Sequence, residues 1–275
     1  MRLRLPLPIV LTALLAAGCS GASTGSAASQ SAGSAAGAST DLQIYAAASL
    51  KAVLDQVKTA YEAATPGITL TISTDSSTAL ETKIEQGAPA DVFLSADTEN
   101  PKALFDKGLA SSPVVHFAGN LLTVIVPAAN PAGIGAPVDL ARSGVKVIAC
   151  AVGVPIEKYT AQWVAKVSSL PAYGADFATR FDANVVSRED NVGAIVTKVA
   201  LDEGDAGVVY VTDAKASDKV RTIAIPADQN VPATYGGVAV KASAHGEAAT
   251  AFLAWLTGPK GEAILASFGF APPSG

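Results

Sequence analysis

The sequence predicts a two-lobed α/β body carried behind an export leader and a tether. Three observations lead there. Short apolar runs alternate with segments of helical periodicity along most of the chain, the order that builds sheets covered by helices. The alternation comes in two sets, before and after about residue 119, which suggests two lobes with a cleft between them. The first forty residues hold nothing that could join a core, only an apolar leader followed by a Ser-, Ala- and Gly-rich run.

The leader, MRLRLPLPIVLTALLAAGC, starts with Arg2 and Arg4, runs apolar from Leu5 to Ala17 and ends in small residues before Cys19. Residues 1–18 therefore read as a secretion signal, too short and wrongly flanked for a stable membrane span. The ending LLAAGC resembles a bacterial lipoprotein box, which implies acylation of Cys19 and a lipid anchor. Residues 19–40 carry no charge and no large apolar side chain, and they read as a flexible linker. Removing Arg2 and Arg4 from 19 basic residues leaves 17 against 24 acidic ones, a net charge of −7 for the mature chain. With that charge and 6% aromatic residues, nucleic acid is not an expected partner. Cys150 is then the one remaining thiol; it ends an apolar run, so a buried free thiol is expected and a disulfide framework is excluded.

Within the body, LQIYAA reads as a strand. The next segment places Leu50, Val53, Leu54, Val57 and Tyr61 on one helical face, and Pro66 and Gly67 stop it. ITLTIS, the short helix TALETKIEQG, the strand ADVFLSA and the helix NPKALFDKG complete the first set, which predicts a parallel sheet. The second set contains strands NLLTVIV, VKVIAC, AGVVYV and VRTIAIP, with helices EKYTAQWVAKV and NVGAIVTKVALDEG. YGGVAVKA alternates like a strand running back between lobes, and two helices broken at TGP close the chain. The expected division is 41–118 plus 243–275 for lobe I and 119–242 for lobe II.

Catalytic signatures are missing. The two histidines, His116 and His245, have no metal-ligand spacing, and there is no GxSxG, HExxH or P-loop pattern. SGVK at 143–146 matches S-x-x-K only formally, because it precedes a strand and does not open a helix. What the chain offers instead is donors at helix starts: Ser49; Ser76, Ser77 and Thr78; the amides after Pro155; and the amides around Asn191 and Val192. The phenol of Tyr210 ends a strand beside them. Helix N-termini have free N–H groups and partial positive charge, so several aimed at one point make an anion site without Lys or Arg. Taken singly, each such residue is equally a plain helix cap.

The segments YAAASL, SSTALETKIEQGAPADVFLSAD, AGVVYVTDA and GPKGEAILASFGF together resemble the molybdate-binding proteins of ABC importers, from about Leu42 to Pro272. The resemblance implies a periplasmic-binding-protein (type II) clamshell, with a mostly parallel sheet flanked by helices in each lobe. It implies capture of molybdate or tungstate by Ser49, Ser77, the amides of Ile156 and Asn191, and Tyr210, with Ser76 and Val192 adjacent. It implies delivery to an importer permease and ATPase by a monomeric, lipid-anchored receptor, with no cofactor, no catalysis and no direct protein–metal bond. Asp75 stands just before the serines, where a carboxylate turned inward would repel a dianion. Alternatives are a sulfate, phosphate or organic-acid receptor on the same scaffold, a serine enzyme, or a surface lipoprotein whose serines are only caps.

Overall fold

In chain order the elements are β1 (Thr40–Ala47), a 3-10 turn (Ala48–Leu50), α1 (Lys51–Ala64), β2 (Ile68–Asp75), α2 (Ser77–Glu85), β3 (Val92–Ser95), α3 (Glu99–Asp106) and β4 (Val115–Asn120). There follow β5 (Leu122–Pro127), β6 (Val147–Cys150), α4 (Pro155–Ser168), α5 (Phe177–Ala183), β7 (Val185–Glu189), α6 (Val192–Ala200), β8 (Ala206–Tyr210), α7 (Val211–Lys215) and β9 (Val220–Ala224). The chain ends with β10 (Ala233–Ala239), α8 (Gly246–Leu256) and α9 (Pro259–Ser267). The computed structural model describes residues 39–273. The expected leader, Cys19 and nearly all of the expected linker lie outside the described residues; Thr40 belongs to β1 and pairs with Ile68.

Two five-stranded sheets organise one compact unit, in the orders β2-β1-β3-β10-β4 and β7-β6-β8-β5-β9. β1 runs parallel to β2 and β3, and β6 runs parallel to β7 and β8. The fourth strand in each order is reversed: β10 is antiparallel to β3 and β4, and β5 is antiparallel to β8 and β9. Each sheet is therefore mixed, with four strands in one direction and one against them.

The first sheet is buried on both faces at its centre, where β3 is buried at every position and β10 at all but Thr234. On one face Leu42, Ile44, Val92 and Leu94 pack with Val53, Val57, Phe252 and Leu256; on the other Phe93 and Val238 pack with Leu80, Ile84 and Leu104. In lobe II, Trp163 sits fully buried among the rings of Tyr173, Phe177 and Phe181.

The lobe boundary differs from the sequence expectation. Residues 233–239, expected in lobe II, form the reversed strand of the lobe I sheet, so the chain returns before Ala233 and not after residue 242. Periodicity marks YGGVAV as a strand, but only long-range pairing decides which sheet receives it. The outward crossing is the single residue Leu121 between β4 and β5. Asn230 ties the two crossings together: its Oδ1 accepts from Leu122 N at 3.0 Å and its Nδ2 donates to Leu122 O at 2.8 Å.

Candidate functional site

The three parallel neighbours in each sheet all end at the same cleft. β1 ends at Ala47 before Ser49, β2 at Asp75 before Ser76 and Ser77, and β3 at Ser95 before Ala96. From lobe II, β6 leads to Val154–Ile156, β7 leads to Asn191, and β8 ends on Tyr210. In open α/β sheets the carboxyl ends of the strands are where ligands sit. Ser49, Ser76, Ser77, Ile156, Asn191, Val192 and Tyr210 line one small cavity there, with about 210 Å³ of empty space. All seven residues singled out from the sequence are thus brought together.

Ser49 is not a helix cap. It lies inside the 3-10 turn, whose N-cap is Ala47 and which has no side-chain cap bond. Its Oγ instead accepts from the phenol of Tyr235 at 2.9 Å, across 186 positions of chain. Ser77, at the first position of α2, accepts from the backbone N–H of Ala96 at 3.0 Å. In both serines a protein donor occupies one lone pair of the oxygen, so the hydroxyl hydrogen is free for a ligand. Ser76 is the N-cap of α2, and its Oγ accepts from Ala79 N at 3.4 Å.

Lobe II supplies backbone. Pro155 has no N–H, and the amides of Glu157 and Lys158 both donate to Val154 O, which leaves the Ile156 amide without an intrahelical acceptor in the first turn of α4. The Ile156 side chain is buried in the lobe II core, so its bulk does not fill the cleft. Asn191 caps α6 through Oδ1, which accepts from Ala194 N at 3.2 Å, and the amides of Val192 and Gly193 follow in the first turn.

Tyr210 is the exception among the side chains. It is 1% exposed, and among the described residues its hydroxyl has no hydrogen-bond partner. A buried hydroxyl with no protein partner is costly, so a ligand that accepts from Tyr210 would relieve that cost. Burial pushes the phenols of Tyr210 and Tyr235 well above the ordinary tyrosine value, and pushes Tyr159 up to about 12. All three therefore keep their protons near neutrality and can donate.

The field of the cavity comes from dipoles. Among the described residues, none of those lining it is Lys, Arg or His. Asp75 turns its carboxylate to its neighbour's amide, Ser76 N at 2.8 Å, and to Lys83 Nζ at 2.8 Å, and it does not line the cavity. Behind Tyr210, Asp213 accepts from the Tyr210 amide at 3.2 Å; burial pushes its carboxyl up to about 7.

The lobes touch across the cleft. Thr78 Oγ1 donates to Gly153 O at 2.8 Å, and Lys158 Nζ reaches Glu99 at 2.8 Å and Asp97 at 3.5 Å. A larger cavity of about 800 Å³ lies along β6 and α4 in lobe II, but its walls are mostly apolar and it shares only Ile156 with the converging donors. Cys150 lines it as a buried free thiol, raised by burial and so held in the neutral form. Among the described residues no cluster of His, Cys, Asp and Glu could hold a metal ion, and no helix is long and apolar enough to cross a membrane.

Sequence reasoning missed Tyr235 and Asn120, whose contacts with Ser49 and Thr212 join distant segments. The only local signal was a lone Tyr beside two glycines in ATYGGVAV.

Comparison with known proteins agrees with this geometry. A family model described as bacterial extracellular solute-binding protein matches residues 42–271. The molybdate-binding protein ModA of Mycobacterium tuberculosis is 32% identical over 265 residues, covering 96% of this chain and 97% of that one. A Bacillus subtilis protein named as an ABC transporter substrate-binding lipoprotein, YvgL, is 30% identical, covering 94% and 93%. Among solved structures, the periplasmic molybdate-binding protein of Azotobacter vinelandii superposes with a TM-score of 0.69 at 25% identity, covering 85% of this chain and 100% of that one.

Proposed function

The chain belongs to the family of bacterial extracellular solute-binding proteins, and we propose that it captures molybdate or tungstate between its lobes for delivery to an ABC importer. One observation carries the choice of a fully ionised oxyanion, a small cavity lined by hydroxyls and amides left free to donate, among them the orphaned phenol of Tyr210; the molybdate-binding relatives favour molybdate or tungstate among such anions. A fully ionised tetrahedral oxyanion has only acceptors to offer, so a lining of donors suits it.

Ser49, Ser77, Ile156 N, Asn191 N and Tyr210 are the direct donors in this reading, with Ser76 and Val192 N beside them. Hydrogen bonds to a charged group contribute about 1.5–3 kcal/mol each. Five of them amount to about 7.5–15 kcal/mol, which toward the upper end exceeds the roughly 8 kcal/mol of a micromolar complex and leaves a surplus for desolvation and lobe closure. The protein's net negative charge gives no long-range attraction, so local donors must supply the affinity. Binding to both lobes favours the closed arrangement, which the permease and ATPase of an importer would recognise. Cys19 would hold the receptor at the outer face of the membrane. No catalytic step and no cofactor enters this reading.

Calorimetric titration with molybdate, tungstate, sulfate and phosphate tests it. Molybdate and tungstate are expected to bind at sub-micromolar concentration, with sulfate and phosphate at least about a hundredfold weaker, a gap of roughly 2.7 kcal/mol. Tighter binding of sulfate or phosphate would assign the cleft to that anion instead.

A further inference from the structure

The hydrogen bonds behind Ser49 have a fixed direction that can be read from one end. Asn120 Oδ1 accepts from the backbone N–H of Leu121 at 3.0 Å, which settles the orientation of the Asn120 amide. Its Nδ2 must then face the other way. It donates to Thr212 Oγ1 at 2.8 Å and to Tyr235 Oη at 3.3 Å. An amide nitrogen cannot accept, so Tyr235 receives a proton from Asn120 and must spend its own elsewhere. Its partner is Ser49 Oγ at 2.9 Å. Ser49 in turn has one lone pair taken by Tyr235 and keeps its hydrogen for another partner, in a cavity it helps to line. Asn120, Tyr235 and Ser49 are all buried, so water does not compete for these bonds.

We propose that Tyr235, held by Asn120, is a positioning and specificity-determining residue: it keeps Ser49 a donor and so sets the site against protonated oxyanions. The proposal rests on the oxyanion reading of the cleft. A serine left to itself can donate to a bare oxygen or accept from a P–OH group. With Tyr235 donating to it, Ser49 does not spend its hydrogen on the protein and has one lone pair fewer to offer, so hydrogen phosphate finds a poorer acceptor there for its proton. Ser77 is fixed in the same sense by a backbone amide, Ala96 N, which no side-chain substitution removes. Ser49 is therefore the place where selectivity can be altered by one side chain. Asn120 also ends β4 at the outward crossing and bonds Thr212 of lobe II, so the chain of donors starts at the hinge.

A double-mutant cycle tests this with the full mature protein, using Tyr235→Phe, Ser49→Ala and both together. Molybdate, sulfate and phosphate are titrated by calorimetry at neutral pH. Tyr235→Phe is expected to weaken molybdate binding about fivefold to tenfold and to narrow the preference for molybdate over phosphate. In the Ser49→Ala background its cost should shrink to about twofold or less, because it acts through that hydroxyl. An equal cost in both backgrounds, or an unchanged anion ranking, means that Tyr235 only packs, and overturns the proposal. If the unaltered protein binds none of these anions, the oxyanion reading falls and the proposal with it. Neutron diffraction on the unaltered protein with molybdate answers without any variant. A deuteron on Tyr235 Oη pointing to Ser49, and the Ser49 deuteron pointing to the ligand, is expected; a Ser49 deuteron pointing to Tyr235 overturns it.

Discussion

The two lobes bring donors to the cleft by different means. Lobe I uses hydroxyls, Ser49 and Ser77, each held in direction by a second protein donor. Lobe II uses the amides at the starts of α4 and α6, whose direction comes with the helix itself, and one phenol whose hydroxyl has no hydrogen-bond partner among the described residues. A hydroxyl rotates, so it needs a partner to become a fixed donor; an amide does not. Lobe I should accordingly be sensitive to side-chain replacement in the bound and free states alike, and lobe II mainly through Tyr210.

The sharpest break of that contrast is Ser49→Ala with Ser77→Ala. Loss of two bonds to a dianion should weaken molybdate binding by about 3–6 kcal/mol by calorimetry. The free protein should also melt lower, since Tyr235 Oη and Ala96 N lose their acceptors. Tyr210→Phe should weaken binding by about 1.5–3 kcal/mol while the free protein melts at the same temperature or higher, because no protein bond is lost. A drop in both would show that the phenol is tied to the protein after all.

Asp213 sharpens the comparison through pH. Folded, it holds its proton up to about 7; unfolded, it loses it near 3.8. Between those values the unfolded chain is the more ionised, so stability is greatest below about pH 4 on this account and falls as pH rises toward 7. Asp213→Asn should flatten that part of a stability–pH curve, and should remove any weakening of molybdate binding as pH rises through 7. The smallest effect is expected from Ile156→Val, which keeps the amide: binding within about twofold, and stability down by about 0.5–1.5 kcal/mol from the trimmed core. A large loss of affinity would mean that the side chain, and not the backbone, shapes the site.

The helix periods and the strand ends before Ser49, Ser77, Ile156, Asn191 and Tyr210 are local features, and the sequence expectations match the structure there. β4 was missed because FAGNLLTVIV runs through a change of sheet with no Pro or turn pair at Leu121. β7 was missed for another reason: VVSRE has no fully buried residue and lies at a sheet edge, so it lacks the apolar signature of a central strand. α5 has no clear stripe, and its buried Phe177 and Phe181 read equally as loop anchors. Ser49 looked like a cap because capping is a local habit of serine, whereas its actual partner arrives from the far end of the chain.

The late return of β10 divides the chain unevenly in time. Lobe II is one uninterrupted stretch from β5 to β9, whereas β3 and β4 have no strand between them until Ala233–Ala239 has been made. During synthesis lobe II therefore has all its strands first, and lobe I must wait for the strand that joins β3 to β4. Cut apart as genes, residues 121–225 form a candidate free-standing fragment, while the remaining two pieces can complete their sheet only by finding each other.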